Sequence, residues 1–218
     1  MEASRRLLRA NAHRKAPLDT SHLHRLFTYL APRTLANARL KVLCILGYSA
    51  FLRWTEMASL TCADISFAPD HVVIHLAGSK VDQYRTGASI PLAKTDSLIC
   101  PYRALRDYFQ LGELSPIDTS PLLCQLYHKG ARWSLKKAGL SYTRCRELLL
   151  EALRAIHLDP SLFGLHSLRS GGTTAAAACH LPDRLIMQHG RWATQSSKNR
   201  YIQDSLATRL SVSRAITS

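Results

Sequence analysis

Apolar positions fall at helical spacing through the first part of the chain. Leu23, Leu26, Phe27 and Leu30 recur three and four apart and so share one face, and Pro17-Leu18-Asp19-Thr20 supplies a start signal ahead of them. A helix is predicted from there to about Tyr29. A second, longer one is predicted from about Thr34 to Phe51, with the second half so apolar that it must be buried nearly all round. Near Arg53 it gives way to a short helical turn through Glu56, Met57 and Leu60. The period then changes from 3.6 to 2. Asp64–Phe67 and His71–Leu76 alternate in strand fashion, and Thr86–Leu92 returns after a polar turn as a third, antiparallel strand. Helices are predicted again at about Pro101–Leu111, Tyr142–His157, Ser167–Cys179, Asp183–His189 and Ser196–Leu206. Gly112–Ser120 reads as a loop and Ser205–Ile216 as a final helix. The expected fold class is mainly α with one small antiparallel β-sheet (α+β), and no internal repeat is visible.

Composition narrows the partners. The 218 residues suffice for one large domain, and 46% hydrophobic against 20% charged positions is a globular balance. Residues 1–16 are basic and lack a period, so they read as a tail or the remnant of a linker. Lys and Arg number 29 against 15 Asp and Glu, a formal net charge of +14 that favours a polyanionic surface through counterion release. The most apolar stretch, Val42–Leu52, is too short to span a bilayer and is closed by Arg53, so a membrane is not expected as a partner. The N-terminus lacks the apolar segment of a signal peptide. The cysteines Cys44, Cys62, Cys100, Cys124, Cys145 and Cys179 form no close pair at a metal-ligand or redox spacing, and most read as small core residues of a reducing, intracellular compartment.

The chemistry-bearing residues gather late in the chain. His166 and Arg169 lie three apart on one helical face, so both can point at a single phosphate. Arg169 can fork two hydrogen bonds to non-bridging oxygens, and His166 can bond the same phosphate or relay a proton. A pair of this kind also arises by chance as a helix cap. Arg53 is followed three residues later by Glu56, which reads as a structural ion pair or as a carboxylate orienting a phosphate-binding arginine. Lys80 sits in a predicted hairpin turn, either as a solvated loop charge or as a mobile acid for a leaving oxygen. Trp192 can donate its indole N–H, with His189 as the competing choice for the same place. Tyr201 adds a hydroxyl able to attack phosphorus. Breaking a phosphodiester without a metal needs such a nucleophile, cationic neutralisation of the transition state and an acid.

In their order and spacing, these residues resemble the tyrosine recombinase (phage integrase) family. The resemblance runs from about Pro17 to about Ile216 and rests on Phe51-Leu52-Arg53-Trp54-Thr55-Glu56-Met57, Lys80, His166-Ser167-Leu168-Arg169, Trp192 and Tyr201. The nine-residue step from Trp192 to Tyr201 equals the family's step from its His or Trp to the nucleophile. The wording around His166–Ala176, Gly190-Arg191-Trp192 and Arg200-Tyr201-Ile202 is most similar to recombinases of eukaryotic mobile elements, the DIRS-like retrotransposons and Cryptons. That likeness would place the protein in the nucleus if its source is eukaryotic.

The resemblance implies the integrase catalytic-domain fold over residues 17–218 and DNA cleavage and rejoining through a 3′-phosphotyrosyl intermediate on Tyr201. Arg53 and Arg169 would neutralise the transition state, His166 and Trp192 would assist, and Lys80 would be the acid; neither metal nor cofactor is implied. It also implies double-stranded DNA as partner and a homotetramer on it, with Gln203–Ser218 as the segment passed between copies. The family usually carries a helical core-binding domain ahead of the catalytic one, and only about sixteen residues precede it here. A DNA-binding remnant that no longer cuts is the alternative function.

Overall fold

The computed structural model describes residues 15–78, 87–130, 132–204, 210 and 213–215. Helix α1 (Thr20–Tyr29) begins where the Asp19 carboxylate accepts the His22 amide at 2.8 Å, and buries Leu23, Leu26 and Phe27. Helix α2 (Leu35–Tyr48) starts on Thr34, whose hydroxyl accepts the Asn37 amide at 3.2 Å, and from Val42 to Tyr48 every residue is buried. It is the axis of the core. The short α3 (Trp54–Ser59) follows. Strands β1 (Ile65–Phe67), β2 (His71–Leu76) and β3 (Ala88–Ala93) then form an antiparallel sheet in that order, with Ile65 opposite Ile74 and Ile74 opposite Ile90. Pro91 lacks an amide proton and is tolerated because β3 is the edge of this sheet among the described residues.

Helix α4 (Pro101–Leu111) opens with proline at its first position, where an N–H has no helical partner to lose. Next come β4 (Cys124–Lys129) and β5 (Arg132–Gly139), then α5 (Tyr142–Ala155), α6 (Leu165–Ala178), α7 (Asp183–Gly190) and α8 (Gln195–Asn199). Helix α2 packs against both α4 and α6. Its contact with α6 is made at glycines on both sides. A Cβ on Gly47 would stand 2.7 Å from the Leu168 side chain, and one on Gly172 would stand 1.9 Å from the Tyr48 carbonyl oxygen. Close approach of the two backbones brings the loop after α2, which carries Arg53, beside the helix that carries His166 and Arg169. Helix α7 then packs back on α6, and α8 packs on α7.

The structure corrects several expected boundaries. Helix α2 stops at Tyr48, three residues short of Phe51, because Phe51 takes a left-handed backbone with φ 51°. The predicted helix from Ser196 to Leu206 ends at Asn199. A second sheet, the hairpin β4–β5 with Leu126 opposite Leu135, was not expected at all. Its strand β5 is largely exposed and therefore shows no apolar alternation. Thr86 and most of Ser205–Ile216 lie outside the described residues, of which Leu210 and 213–215 are helical. Among the described residues, no helix is long and apolar enough to cross a membrane.

Candidate active site

Helix α6 starts at Leu165, so His166 and Arg169 occupy its first turns on one face. Arg169 is buried, with 1% of its surface exposed. Its guanidinium donates to the Phe51 carbonyl through Nη1 and to the Gly190 carbonyl through Nη2 at 3.1 Å, and Nη1 stands 3.7 Å from Glu56 Oε2. Its Nε has no hydrogen-bond partner. The guanidinium carbon lies 4.7 Å from the centroids of both the Trp192 and the Tyr201 rings, a geometry in which the aromatic faces stabilise the cation.

Tyr201 is half-buried between these groups. Its ring lies nearly parallel to His166 with centroids 6.4 Å apart, and 5.4 Å from Trp192. Its main chain is tied to α6, because the Ser170 hydroxyl donates to the Tyr201 carbonyl at 2.7 Å and Thr174 does so at 3.3 Å. The short α8 thereby returns the chain to α6 at a fixed register. Phe51, Ile186 and Trp192 form a small apolar cluster beneath, against which Tyr201 packs. Gly190 is needed there, since a Cβ would come within 1.9 Å of the Trp192 ring.

Arg53 reaches the same place from the other side. It precedes α3, and Glu56 accepts both its backbone amide at 2.6 Å and its Nη1 at 3.3 Å. The expected pairing of Arg53 with Glu56 is present, and the Arg53 side chain remains 43% exposed, free to turn to a ligand. Burial holds the His166 imidazole below its ordinary value, and the positive charges of Arg169 and then Arg53 push it further down. Burial, and after it the positive charge of Arg53, lowers Arg169 to about 10 against the opposing effects of Tyr201 and Glu56. The site therefore holds a cationic Arg169 guanidinium beside a neutral His166 imidazole at neutral pH.

His189 lies elsewhere. Its Nε2 donates to the Ser49 carbonyl at 2.7 Å and its ring packs edge-on against Phe51, so it pins the α7 terminus to the end of α2. Trp192, not His189, stands against Tyr201. Lys80 lies outside the described residues. Among the described residues, no cluster of three or more His, Cys, Asp or Glu is placed to hold a metal ion. Two residues at the site escaped the sequence reading. Arg191 ion-pairs with Glu56 at 3.1 Å, and the Phe51 carbonyl accepts from both Arg169 and Arg191.

A pH dependence follows from the buried imidazoles. His189 is also held low, chiefly by burial and then by Arg191, against the raising effect of its bond to Ser49. Both histidines are neutral in the folded chain but titrate near 6.5 when unfolded. Below that pH the unfolded chain binds more protons, so stability falls as pH drops from about 6.5. The thermal midpoint is expected to decrease between pH 7.5 and 5.5, with a shallower slope in the His166→Gln/His189→Gln double variant. A slope unchanged in that variant contradicts the assignment.

No protein-family model matches the chain. It is 28% identical over 190 residues to an integrase/recombinase XerD homolog of Selenomonas ruminantium, covering 87% of this chain and 54% of that protein. Among solved structures it is similar to the XerH site-specific recombinase bound to palindromic difH substrate in a post-cleavage complex. The TM-score is 0.69 at 16% identity, covering 94% of this chain and 54% of that one. The fold is that of a tyrosine recombinase catalytic domain. The XerA recombinase gives the same result, with a TM-score of 0.66 at 13% identity over 95% of this chain and 66% of that chain. The chain thus spans about half the length of the curated relative it matches.

Proposed function

We propose that the chain is the catalytic domain of a tyrosine-type site-specific DNA recombinase or integrase. One observation carries this reading: Tyr201 and Arg169, together with Arg53 through Glu56, converge on one basic pocket although they come from distant parts of the sequence. In the proposed reaction the Tyr201 oxygen bonds to a DNA phosphorus as the bond to the 5′ oxygen breaks. The phenolic proton leaves to a neutral base, for which His166 stands beside the ring. The electron pair goes to the 5′ oxygen, which Lys80 protonates. Arg53 and Arg169 offset the charge that builds on the non-bridging oxygens, each such donor being worth about 100- to 1,000-fold in rate. Trp192 walls the pocket, and its buried indole N–H has no partner in the free chain. Attack of another 5′ hydroxyl reverses the step and rejoins the strand.

The substrate is proposed to be double-stranded DNA, bound by an assembly of several copies. The relatives include XerH, named as a site-specific recombinase bound to its difH substrate. The wording around His166, Arg191 and Tyr201 supports the finer proposal that the chain is related to the recombinases of DIRS-like and Crypton elements. A DNA-binding domain that no longer cuts is the second reading, favoured by the burial of Arg169 and the capping of its Nη1 and Nη2 by carbonyls.

A nicked suicide substrate separates the two. The wild-type chain is expected to form a covalent adduct with it, removable by protease, whereas Tyr201→Phe binds the same DNA with similar affinity and forms none. Salt-dependent binding without any wild-type adduct establishes the silent reading instead.

A further inference from the structure

We infer that Arg191 is a positioning residue that takes over the acceptors of Arg169 when Arg169 turns to the scissile phosphate; this rests on the function proposed above. Arg191 caps helix α7 in the left-handed region, with φ 55° and ψ 44°. Glycine is the residue that adopts this conformation without cost, whereas a side chain there is strained. Something must offset that strain, and the guanidinium supplies a reason. Its Nη1 donates to the His189 carbonyl at 3.0 Å and stands 3.4 Å from that of Ala50. Its Nη2 donates to Glu56 Oε2 at 3.1 Å and stands 3.5 Å from the Phe51 carbonyl.

The acceptors on Nη2 are shared with Arg169. The Phe51 carbonyl takes Arg169 Nη1, and the same Glu56 oxygen lies 3.7 Å from it. In the free chain Arg169 gives one bond from each of Nη1 and Nη2 to protein carbonyls and leaves its Nε without a partner. Where it turns a carbonyl-bound nitrogen to a phosphate, it leaves a buried acceptor bare, which is unfavourable. Arg191 stands ready to hold both acceptors after that release. Phe51 is itself strained, with φ 51°, and its carbonyl is thereby turned toward the two arginines. Glu56 faces three guanidiniums, those of Arg53, Arg169 and Arg191. If Arg53 and Arg169 are drawn to the substrate, Arg191 keeps the half-buried carboxylate paired and away from the incoming phosphate. Arg191 itself has no route to the reacting atoms in this arrangement, since its described bonds all point at Glu56 and the 50–51 and 189 carbonyls.

Arg191→Gly tests this, because glycine takes the left-handed cap without strain. At saturating suicide substrate, cleavage by Arg191→Gly is expected to be roughly 10- to 100-fold slower than wild type, the range typical of lost supporting bonds. DNA affinity should stay within a few-fold, and millimolar ethylguanidinium should restore part of the rate. Arg191→Lys keeps the charge but lacks the planar fork whose two nitrogens serve separate sets of acceptors, so it is expected to cleave slowly too. A wild-type rate in Arg191→Gly, or a slow rate that ethylguanidinium leaves unchanged, overturns the inference while the recombinase reading stands. Absence of an adduct from the wild-type chain itself overturns both.

Discussion

Arg169→Lys is expected to lower the rate of DNA cleavage about 1,000-fold and to destabilise the fold as well. Both effects come from the same fork. The arginine presents parallel donors to the Phe51 and Gly190 carbonyls while its planar face lies against Trp192 and Tyr201. A lysine ammonium is a compact, strongly hydrated charge that cannot reach both carbonyls at once or stack on the rings. One buried carbonyl is then unpaired, at a cost of about 1–3 kcal/mol. The catalytic loss exceeds the structural one because two donors to one phosphate are replaced by a single point charge. Single-turnover cleavage and chemical denaturation measure the two separately. Cleavage within tenfold of wild type contradicts the role given to Arg169.

Gly172→Ala is expected to cost about 3 kcal/mol or more. The added Cβ would lie 1.9 Å from the Tyr48 carbonyl oxygen and 2.8 Å from the Phe51 ring. Backbone cannot step aside as a flexible side chain can, so α6 must move off the end of α2. That movement displaces Phe51, whose carbonyl gathers Arg169 and Arg191, and so activity falls along with stability. For a chain of this size the thermal midpoint is expected to drop on the order of 10 °C. Gly130→Ala provides the contrast. Gly130 has φ 62° in the β4–β5 turn but nothing within 4 Å of the added methyl, so only local backbone strain of about 1 kcal/mol applies. Equal losses in the two variants contradict the clash between α6 and α2.

Much of the fold was legible because α1, α4 and α5 bury one apolar face at helical spacing. The end of α2 was not, since Phe51 continues the apolar run and nothing local announces its positive φ. Only tertiary packing against His189 and Trp192 holds it there. Hairpin β4–β5 stayed hidden for the opposite reason, its exposed positions giving no pattern to detect. At the site, the pairing of His166 with Arg169 follows from helical spacing alone. That Arg53 and Tyr201 join them came from the family resemblance and not from any period, because the close approach of α2 and α6 depends on Gly47 and Gly172. Arg191 passed as one of 29 basic residues. The available signal was the expectation of glycine just past a helix end, where Gly190 stands one residue early and Arg191 takes the left-handed cap.

The central claim is that the Tyr201 oxygen and the Arg169 guanidinium face one DNA phosphate. Mass-spectrometric mapping of the protein–DNA adduct trapped on a suicide substrate tests it most directly. A 3′-phosphodiester linked to Tyr201, formed by wild type and lost in Arg169→Lys, is the expected result; a linkage to any other residue, or no linkage at all, contradicts the account.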